Sequence, residues 1–557
     1  MSERLERPPG GEAWAHAERA DGLSAVYDAD AFVGLDGPGA LEVLADPSVH
    51  GAEVLKENPR RSVFRLIGAG PALVVKHYRE RGLGDALKTF VGRSRARREA
   101  ETAAAMLAAG LPVPAPRALA RRRDGAHVAW SAFAMDEVVG AQPLGGFLEE
   151  RFTAGDRRGV EKRPWLERAA DVLAALHAAG FDHRDFHGGN LLVERASDAA
   201  PTRLLIVDLH RVARPGRVPT SRRVKALGDL VHTLRFAIDR EDTRVVIDAY
   251  LTAARGEITE ADRWVRLVER ACVAREARRV KSRTRRCIRE SSAFAPVSSG
   301  GVRGFRRSDV PLDQLFEAIA RARHAIDSGG KEARSIARRS SVAVAACGER
   351  RVAVKVYPGD GRRSARGAVT RGRAGRAYVA AHGLFVRGVP VPPVVAWLRT
   401  PDRAFLIVDE VLDARPLSAL SFRLATDPPA LERVGDALVR TLGALISSGA
   451  RVNDLSPKNV LVRVDESSAA AWLCDFDGIR FDGPMPRARL VRGLAQLNDL
   501  APGVPIRARL RVLRRLAREF PDLAGGETAR EIADGTAARA AKRLSVPAPT
   551  SVHGVVT

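Results

Sequence analysis

Cysteine is scarce in this chain. Four residues, Cys272, Cys287, Cys347 and Cys474, are scattered through 557, and none lies in C-x-x-C spacing. That excludes a zinc-type ligand pattern and a disulfide framework, and it fits the reducing cytoplasm. Long apolar runs are also missing. No stretch approaches the 18 or so residues of a membrane-crossing helix. The opening residues Met1-Ser2-Glu3-Arg4-Leu5-Glu6 carry acids and no apolar core, so no secretory signal is expected. Acid is short overall, with Asp+Glu 67 against Lys+Arg 91 and a net charge of +24. Such an excess attracts polyanions: nucleic acid, anionic lipid or phosphorylated glycan. Abundant Arg and Ala is equally the composition of proteins from GC-rich genomes, so the charge alone decides nothing. The densest basic run, Arg275 to Arg286, has no interleaved aromatics and no nucleic-acid motif. It reads as a solvated helix face or as a peripheral contact with the anionic inner face of a cell membrane, and it points away from nucleic acid.

What is present is an internal repeat. Hydrophobic residues make up 45% of the chain, as in folded soluble proteins, and the length calls for two or three cores. Five blocks recur in the same order. Arg61-Ser62-Val63 through Lys76-His77-Tyr78 returns as Ser340-Ser341-Val342 through Lys355-Val356-Tyr357. Gly110-Leu111-Pro112-Val113-Pro114 returns as Gly388-Val389-Pro390-Val391-Pro392. Asp136-Glu137-Val138 returns as Asp409-Glu410-Val411. Asp185 through Asn190-Leu191-Leu192-Val193 returns as Asp454 through Asn459-Val460-Leu461-Val462. Leu205-Ile206-Val207-Asp208 returns as Trp472-Leu473-Cys474-Asp475. Five matches in order indicate a duplicated domain. The expected organisation is an N-terminal extension 1–45, which matches nothing in the repeat, a first domain 46–292, a Ser/Gly/Pro-rich linker 293–311, a second domain 312–546 and a loose tail 547–557.

Within one repeat, Val63–Leu66, Ala72–Lys76 and Val128–Val139 read as strands, and Arg95–Ala109 as a helix closed by Gly110. Trp165–Ala179 and Val224–Phe236 read as helices, with short strands Asn190–Val193 and Arg203–Val207 between them. A sheet-rich half followed by a helical half is an α+β pattern, here two tandem bilobal domains. Leu312–Ser328 reads as a helix leading into the second.

Phosphoryl transfer from ATP needs a lysine for the phosphates, hard oxygen ligands for Mg²⁺ and a carboxylate for the acceptor hydroxyl. The first repeat supplies these types in one order: Lys76 at a strand end, Glu99 on the next helix, Asp136-Glu137-Val138 after a strand, Asp185 and Asn190 five apart in one loop, and Asp208 closing a strand. Glu101 competes with Glu99 for the helix position. His183 reads as a brace for the loop; His187 and His210 read either as residues that approach the active site or as loop or packing residues.

His183-Arg184-Asp185 with Asn190 resembles the protein-kinase-like catalytic loop. Followed by Asp208-Leu209-His210-Arg211, it resembles the lipopolysaccharide kinase (Kdo/WaaP-type) family, which phosphorylates Kdo or heptose of the lipid A–core. Asp475-Phe476-Asp477-Gly478 is similar to a variant in the same group. The resemblance implies that Asp185 and Asp454 are catalytic bases. It also implies that Lys76 and Lys355 bind ATP phosphates, Glu99 pairs with Lys76, Glu137, Val138, Glu410 and Val411 form adenine hinges, and Asn190, Asp208, Asn459 and Asp475 hold Mg²⁺. The acceptor it implies is a sugar or glycolipid.

Departures bear on this reading. No G-x-G-x-x-G precedes Lys76; Asn58-Pro59-Arg60-Arg61-Ser62 stands there. No Ala-Pro-Glu lies between Asp208 and Asp229, which favours a non-peptide acceptor over a peptide one. A protein Ser/Thr kinase, an aminoglycoside-type kinase and a nucleotide-binding pseudokinase scaffold remain the alternatives. The second repeat has Val452-Asn453-Asp454 in place of His-Arg-Asp and no acid from Gly361 to Thr400. Nothing is then expected to play the part of Glu99, and the second repeat reads as a weakened or regulatory copy.

Overall fold

Side chains that alternate along short strands build a sheet buried on both faces. The computed structural model describes residues 14–58, 61–68, 70–79, 94–125, 127–152, 159–194, 203–254, 261–330, 333–337, 340–358, 372–499 and 504–544. The chain divides into two units, Met1–Ala277 and Arg278–Thr557.

The first unit opens with β1 (Trp14–Glu18), β2 (Leu23–Asp28) and α1 (Gly37–Ala45). β3 (Glu53–Asn58), β4 (Arg61–Leu66), β5 (Leu73–Arg79), α2 (Arg95–Ala108), β6 (Pro116–Asp124) and β7 (His127–Asp136) follow. The seven strands lie in the order β1-β2-β6-β7-β5-β4-β3, each pair antiparallel. Leu73, Val75, Ala132 and Ala134 pack on one face with Leu41 and Leu44 of α1. Their neighbours Val74, Tyr78, Phe133 and Met135 pack on the other with Ala96, Ala100, Ala103 and Met106 of α2. Period-two alternation thus directs Lys76 to the same face as Tyr78. Double-sided burial explains why these strands read as apolar runs.

The helical half contains β8 (Gln142–Pro143), α3 (Leu144–Arg151), α4 (Gly159–Ala178), β9 (Asp182–His183), β10 (Leu191–Glu194), β11 (Arg203–Ile206), β12 (Val212–Ala213), α5 (Thr220–Leu234), α6 (Arg240–Ala253) and α7 (Ala261–Thr284). Leu166, Leu173, Leu227, Leu230, Ile247 and Tyr250 form its core. A buried ion pair lies inside it: Lys162 Nζ is 2.5 Å from Asp242 Oδ2, and both side chains are buried. Asp242 also accepts from the Asp239 N–H at 3.0 Å in a capping box that starts α6. Asp242→Ala should therefore cost about 3–5 kcal/mol, because it strands a buried ammonium. Denaturant unfolding checks this.

Two histidines make the first unit acid-sensitive. Burial, aided by Arg79, pushes His77 down from 6.5 to about 4. Burial, aided by Arg223, pushes His177 from 6.5 to about 3. Both are neutral in the fold and regain their ordinary value on unfolding, so the unfolded chain binds more protons between those values. Their contribution is intact above 6.5 and is lost as pH falls toward about 4 for His77 and about 3 for His177. The expected slope near pH 5 is roughly 1 kcal/mol per pH unit for each group. Thermal unfolding should show it, and replacing both with Gln should flatten it.

The second unit repeats the sheet. β13 (Phe294–Ser299), β14 (Val302–Arg307), α8 (Leu312–Asp327), β15 (Ala333–Ala337), β16 (Ser340–Cys347), β17 (Arg350–Pro358), α9 (Gly372–Val386), β18 (Val394–Arg399) and β19 (Arg403–Asp409) come in sequence. Their order, β13-β14-β18-β19-β17-β16-β15, matches that of the first unit strand for strand. Leu315, Ala318, Ile319 and Ala322 of α8 pack on one face of this sheet against Val352, Val354 and Ile407, as α1 does in the first unit. Then come β20 (Arg415–Pro416), α10 (Leu417–Ala425), α11 (Pro428–Ser447), β21 (Val460–Val464), β22 (Ala469–Leu473), α12 (Arg487–Leu497), α13 (Ile506–Glu519) and α14 (Gly526–Leu544).

Three sequence expectations change here. The stretch 293–311 is not a linker. It holds β13 and β14, paired from Phe294↔Arg307 to Ser299↔Val302 around Gly300 and Gly301. Both glycines have positive φ, 55° and 78°, the conformation that a tight two-residue hairpin requires. Residues 14–45 are likewise no separate extension, because β1 and β2 are strands of the first sheet. The division between units falls at 277/278, inside the basic run and not at 292/293. The tail 547–557 lies outside the described residues.

Candidate functional site

Lys76 projects from β5 into the first unit and is 6% exposed. α2 begins at Ser94, whose hydroxyl accepts from the Arg97 N–H at 3.2 Å. Its buried stripe runs Ala96, Glu99, Ala100, Ala103, Met106, so Glu99 faces the core and is fully buried. Glu99 Oε1 pairs with Lys76 Nζ, and Glu99 Oε2 accepts from the Tyr78 hydroxyl. Burial, then the Glu99 charge and hydrogen bond, holds the Tyr78 hydroxyl well above its ordinary value. Glu101 is exposed and bonds Arg97 at 2.7 Å. Helical spacing thus selects Glu99 over its neighbour.

Asp185 lies in the loop after β9. The loop is held through backbone atoms: the Asp185 N–H donates to His183 Nδ1 at 3.3 Å, and Asn190 Nδ2 donates to the Asp185 carbonyl at 3.0 Å. His183 Nε2 meets the Val207 carbonyl at 3.2 Å, tying the loop to the strand that ends at Asp208. Burial lowers the His183 pKa, and a neutral ring protonated on Nε2 satisfies both bonds. His183 is therefore a brace. Gly188 allows the loop to close, since a Cβ there would stand 2.7 Å from Leu234 Cδ2 and 3.2 Å from the Gly145 nitrogen. The Asp185 carboxylate is partly exposed, 3.3 Å from Arg211 NH1 and 4.0 Å from His187 Nε2.

Asp208 is strained and charged. Its φ is 61°, a left-handed conformation uncommon outside glycine. His210 Nδ1 lies 2.7 Å and Arg61 NH1 3.1 Å from Oδ1. Burial alone would raise its pKa. The His210 hydrogen bond and the charges of Lys76, His210 and Arg61 outweigh that, and the carboxyl sits far below its usual range. His210 therefore does reach the site, one of the two parts its place in the sequence left open. Arg61 was also missed; its register partner on β5 is Tyr78, which directs it to the Lys76 face.

The remaining predicted positions flank this cluster. The Glu137 N–H donates to the Ala72 carbonyl at 2.8 Å, and its carboxylate accepts from Arg65 Nε at 2.7 Å. Its N–H is thus spent, which closes a hinge role through that atom and leaves the Val138 position. The same holds in the second unit, where the Glu410 N–H donates to the Arg351 carbonyl at 2.9 Å, next to Val411. Residues 59 and 60, in the expected phosphate cover, lie outside the described residues.

Asn190 and Asp208 fit a hard divalent cation. The Asn190 amide nitrogen is used within its own loop, so its oxygen is the atom left to face a cation, and Asp208 stays ionised. Among the described residues no cluster of three or more His, Cys, Asp or Glu side chains could hold a metal ion, so a cation here would rest on Asn190 and Asp208 with the nucleotide phosphates.

In the second unit, Lys355 Nζ lies 3.0 Å from both Asp475 Oδ1 and Asp477 Oδ2. Tyr357 donates to Asp477 Oδ1 at 3.2 Å, and Arg373 NH2 of α9 pairs with Asp477 Oδ2 at 3.1 Å. The expectation that nothing could play the part of Glu99 is overturned: Asp477 receives the lysine and the tyrosine, as Glu99 does. Asn459 Nδ2 meets the Asp454 carbonyl at 3.4 Å, and Asn453, at the place of Arg184, reaches the Gly478 carbonyl at 3.1 Å. The Asp454 carboxylate accepts from the Ser456 N–H at 3.2 Å. Cys474 is half-buried at the cleft rather than in the core, and burial, with Asp475, raises its thiol to about 12.

The basic run is not uniform. Arg275 pairs at 2.8 Å with buried Asp229, and Glu276 within the run meets His232 at 2.7 Å. Among the described residues no helix is long and apolar enough to cross a membrane.

A buried lysine–glutamate pair facing an Asp/Asn loop and a second aspartate defines a kinase-type unit. Residues 52–251 match the family model "Lipopolysaccharide kinase (Kdo/WaaP) family". That match lies within the first unit and spans little more than a third of the chain; it supports a kinase. A solved structure titled "WaaP in complex with acyl carrier protein" is 23% identical, covering 41% of this chain and 92% of that one, with a TM-score of 0.33. At that identity and score the likeness carries no functional argument. None of the curated proteins compared matches.

Proposed function

We propose that the first unit transfers the γ-phosphate of ATP to a sugar hydroxyl of a lipid A–core glycolipid, Kdo or heptose. The observation that carries this is the Lys76–Glu99–Tyr78 cluster on the same side as Asp208 and the Asp185 loop. Lys76, fixed by Glu99, neutralises nucleotide phosphates. Val138 marks the base edge. Asp185 accepts the proton of the attacking hydroxyl. Asn190 and Asp208 would hold Mg²⁺, which supplies charge neutralisation at the phosphate oxygens when bound.

The acceptor side supports a glycolipid. Residues 209–219 run directly from Asp208 to α5, with β12 paired to β9, too short a path for a peptide-docking segment. From 209 to 228 there is no acid, while Arg211, Arg214 and Arg217 are exposed. Such a lip attracts a phosphate- or carboxylate-bearing sugar and repels a polycationic aminoglycoside. The same charge fits work at an anionic membrane surface. The second unit is read as a second copy of the kinase fold in a regulatory or weakened role. ATP turnover in the presence of cell-envelope extract tests the enzyme reading: wild type should turn over ATP and Asp185→Ala should not. Equal rates would leave only a scaffold.

A further inference from the structure

We propose that the second unit is a nucleotide site in its own right, binding a nucleoside polyphosphate in a cleft whose lysine is positioned by Asp477. The proposal rests on the kinase-type reading of the fold but not on activity of the first unit.

A cavity of about 710 Å³ opens between β16, β17 and β19 on one side and β21 on the other. That volume lies within the range for small-molecule and cofactor sites, about 300–1,000 Å³. Val342, Val344, Ala353 and Leu461 give it apolar walls, suited to a planar base. Lys355, Arg351 and Lys458 line it too, with Asn459, Asp475, Asp409 and Glu410, giving cations and oxygen donors together, the chemistry of a polyphosphate with its counter-cation. Apolar walls and a charged cluster in one cleft describe a nucleotide better than a sugar or a lipid.

The cluster is built rather than vestigial. Lys355 is 8% exposed, and a buried ammonium persists only when paired. In the first unit the carboxylate comes from the helix. In the second the aligned helix position is Ala377, itself buried, and α9 instead contributes Arg373. Asp477, two residues after Asp475, crosses to take the lysine, the tyrosine and the arginine. Both units therefore hold the lysine with a carboxylate, fully buried for Glu99 and half-buried for Asp477, that also accepts from a tyrosine two residues along the same strand. Only the origin of the carboxylate differs. Asp477 is thus a positioning residue, acting on the nucleotide through Lys355.

Titration of the full chain with ATP and Mg²⁺, by calorimetry or equilibrium dialysis, tests this. Wild type should bind two ATP per chain. Lys76→Met, which disables the first site, should leave one, and so should Ala353→Phe, which fills the second cavity without touching its charges. Asp477→Ala should weaken the second site by about tenfold or more. Ala377→Glu in that background, which restores a helix carboxylate at the place of Glu99, should recover the affinity. Circular dichroism confirms folding of each variant. If Lys76→Met binds no ATP, the second site is overturned. If wild type binds one ATP and Ala353→Phe none, it is the first site that fails. Recovery absent in the Ala377→Glu variant would remove the positioning role of Asp477.

Discussion

Asp185→Asn is expected to lower kcat by about 10²–10⁴-fold while leaving the KM for ATP and the fold nearly unchanged. The loop does not depend on the carboxylate. His183 and Asn190 hold it through the Asp185 N–H and carbonyl, which the substitution keeps. The carboxylate itself is partly exposed and touches Arg211 and His187. An amide is nearly isosteric but cannot take up the hydroxyl proton, so the loss falls on the chemical step. Steady-state kinetics with a lipid A–core acceptor, together with thermal unfolding, separates the two effects. A variant that lost stability along with activity would mean that the carboxylate is structural.

Lys76→Met is expected to reduce kcat/KM by about 10²–10³-fold, as when one preorganised donor is removed from a transition state. It should also destabilise the first unit by about 3–5 kcal/mol, since Glu99 is fully buried and would keep only Tyr78. Glu99→Gln should be destabilising for the converse reason. The double variant Lys76→Met/Glu99→Gln removes both charges and should recover most of the stability while remaining inactive. Denaturant melts and kinetics on the three proteins form a double-mutant cycle. A double variant as unstable as the singles would show that packing, not charge, holds this corner.

Much of the first site is legible in the sequence because its chemistry is local. Lys76 ends an apolar strand, Asp185 and Asn190 share one loop, and Glu99 falls on the buried stripe of α2 while Glu101 does not. Two kinds of information were hidden. The first is long-range pairing. Arg61 and His210 join Asp208 through register and a left-handed turn, neither of which a linear motif encodes. Asp477 was overlooked for a related reason. The helix carries no acid, and the fold delivers one from the far side of the cleft, 122 residues from Lys355. The repeated tyrosine, Tyr78 and Tyr357, is the one sequence signal that could have found a common carboxylate acceptor. The second is composition misread as flexibility. Ser298-Ser299-Gly300-Gly301 looks like a linker, but Gly-Gly between two alternating segments is also a hairpin turn, and it is one here. Once that hairpin is placed, β1 and β2 become its counterpart, and the repeat extends to include residues that share no sequence blocks.

The destination of the phosphate decides whether the first unit is a glycolipid kinase. Full-length protein, incubated with γ-labelled ATP, Mg²⁺ and separate lipopolysaccharide and protein fractions, should place label in the lipid A–core sugar of the lipopolysaccharide, and Asp185→Asn should abolish it. Label entering protein alone, or entering lipopolysaccharide equally with Asp185→Asn, would contradict it.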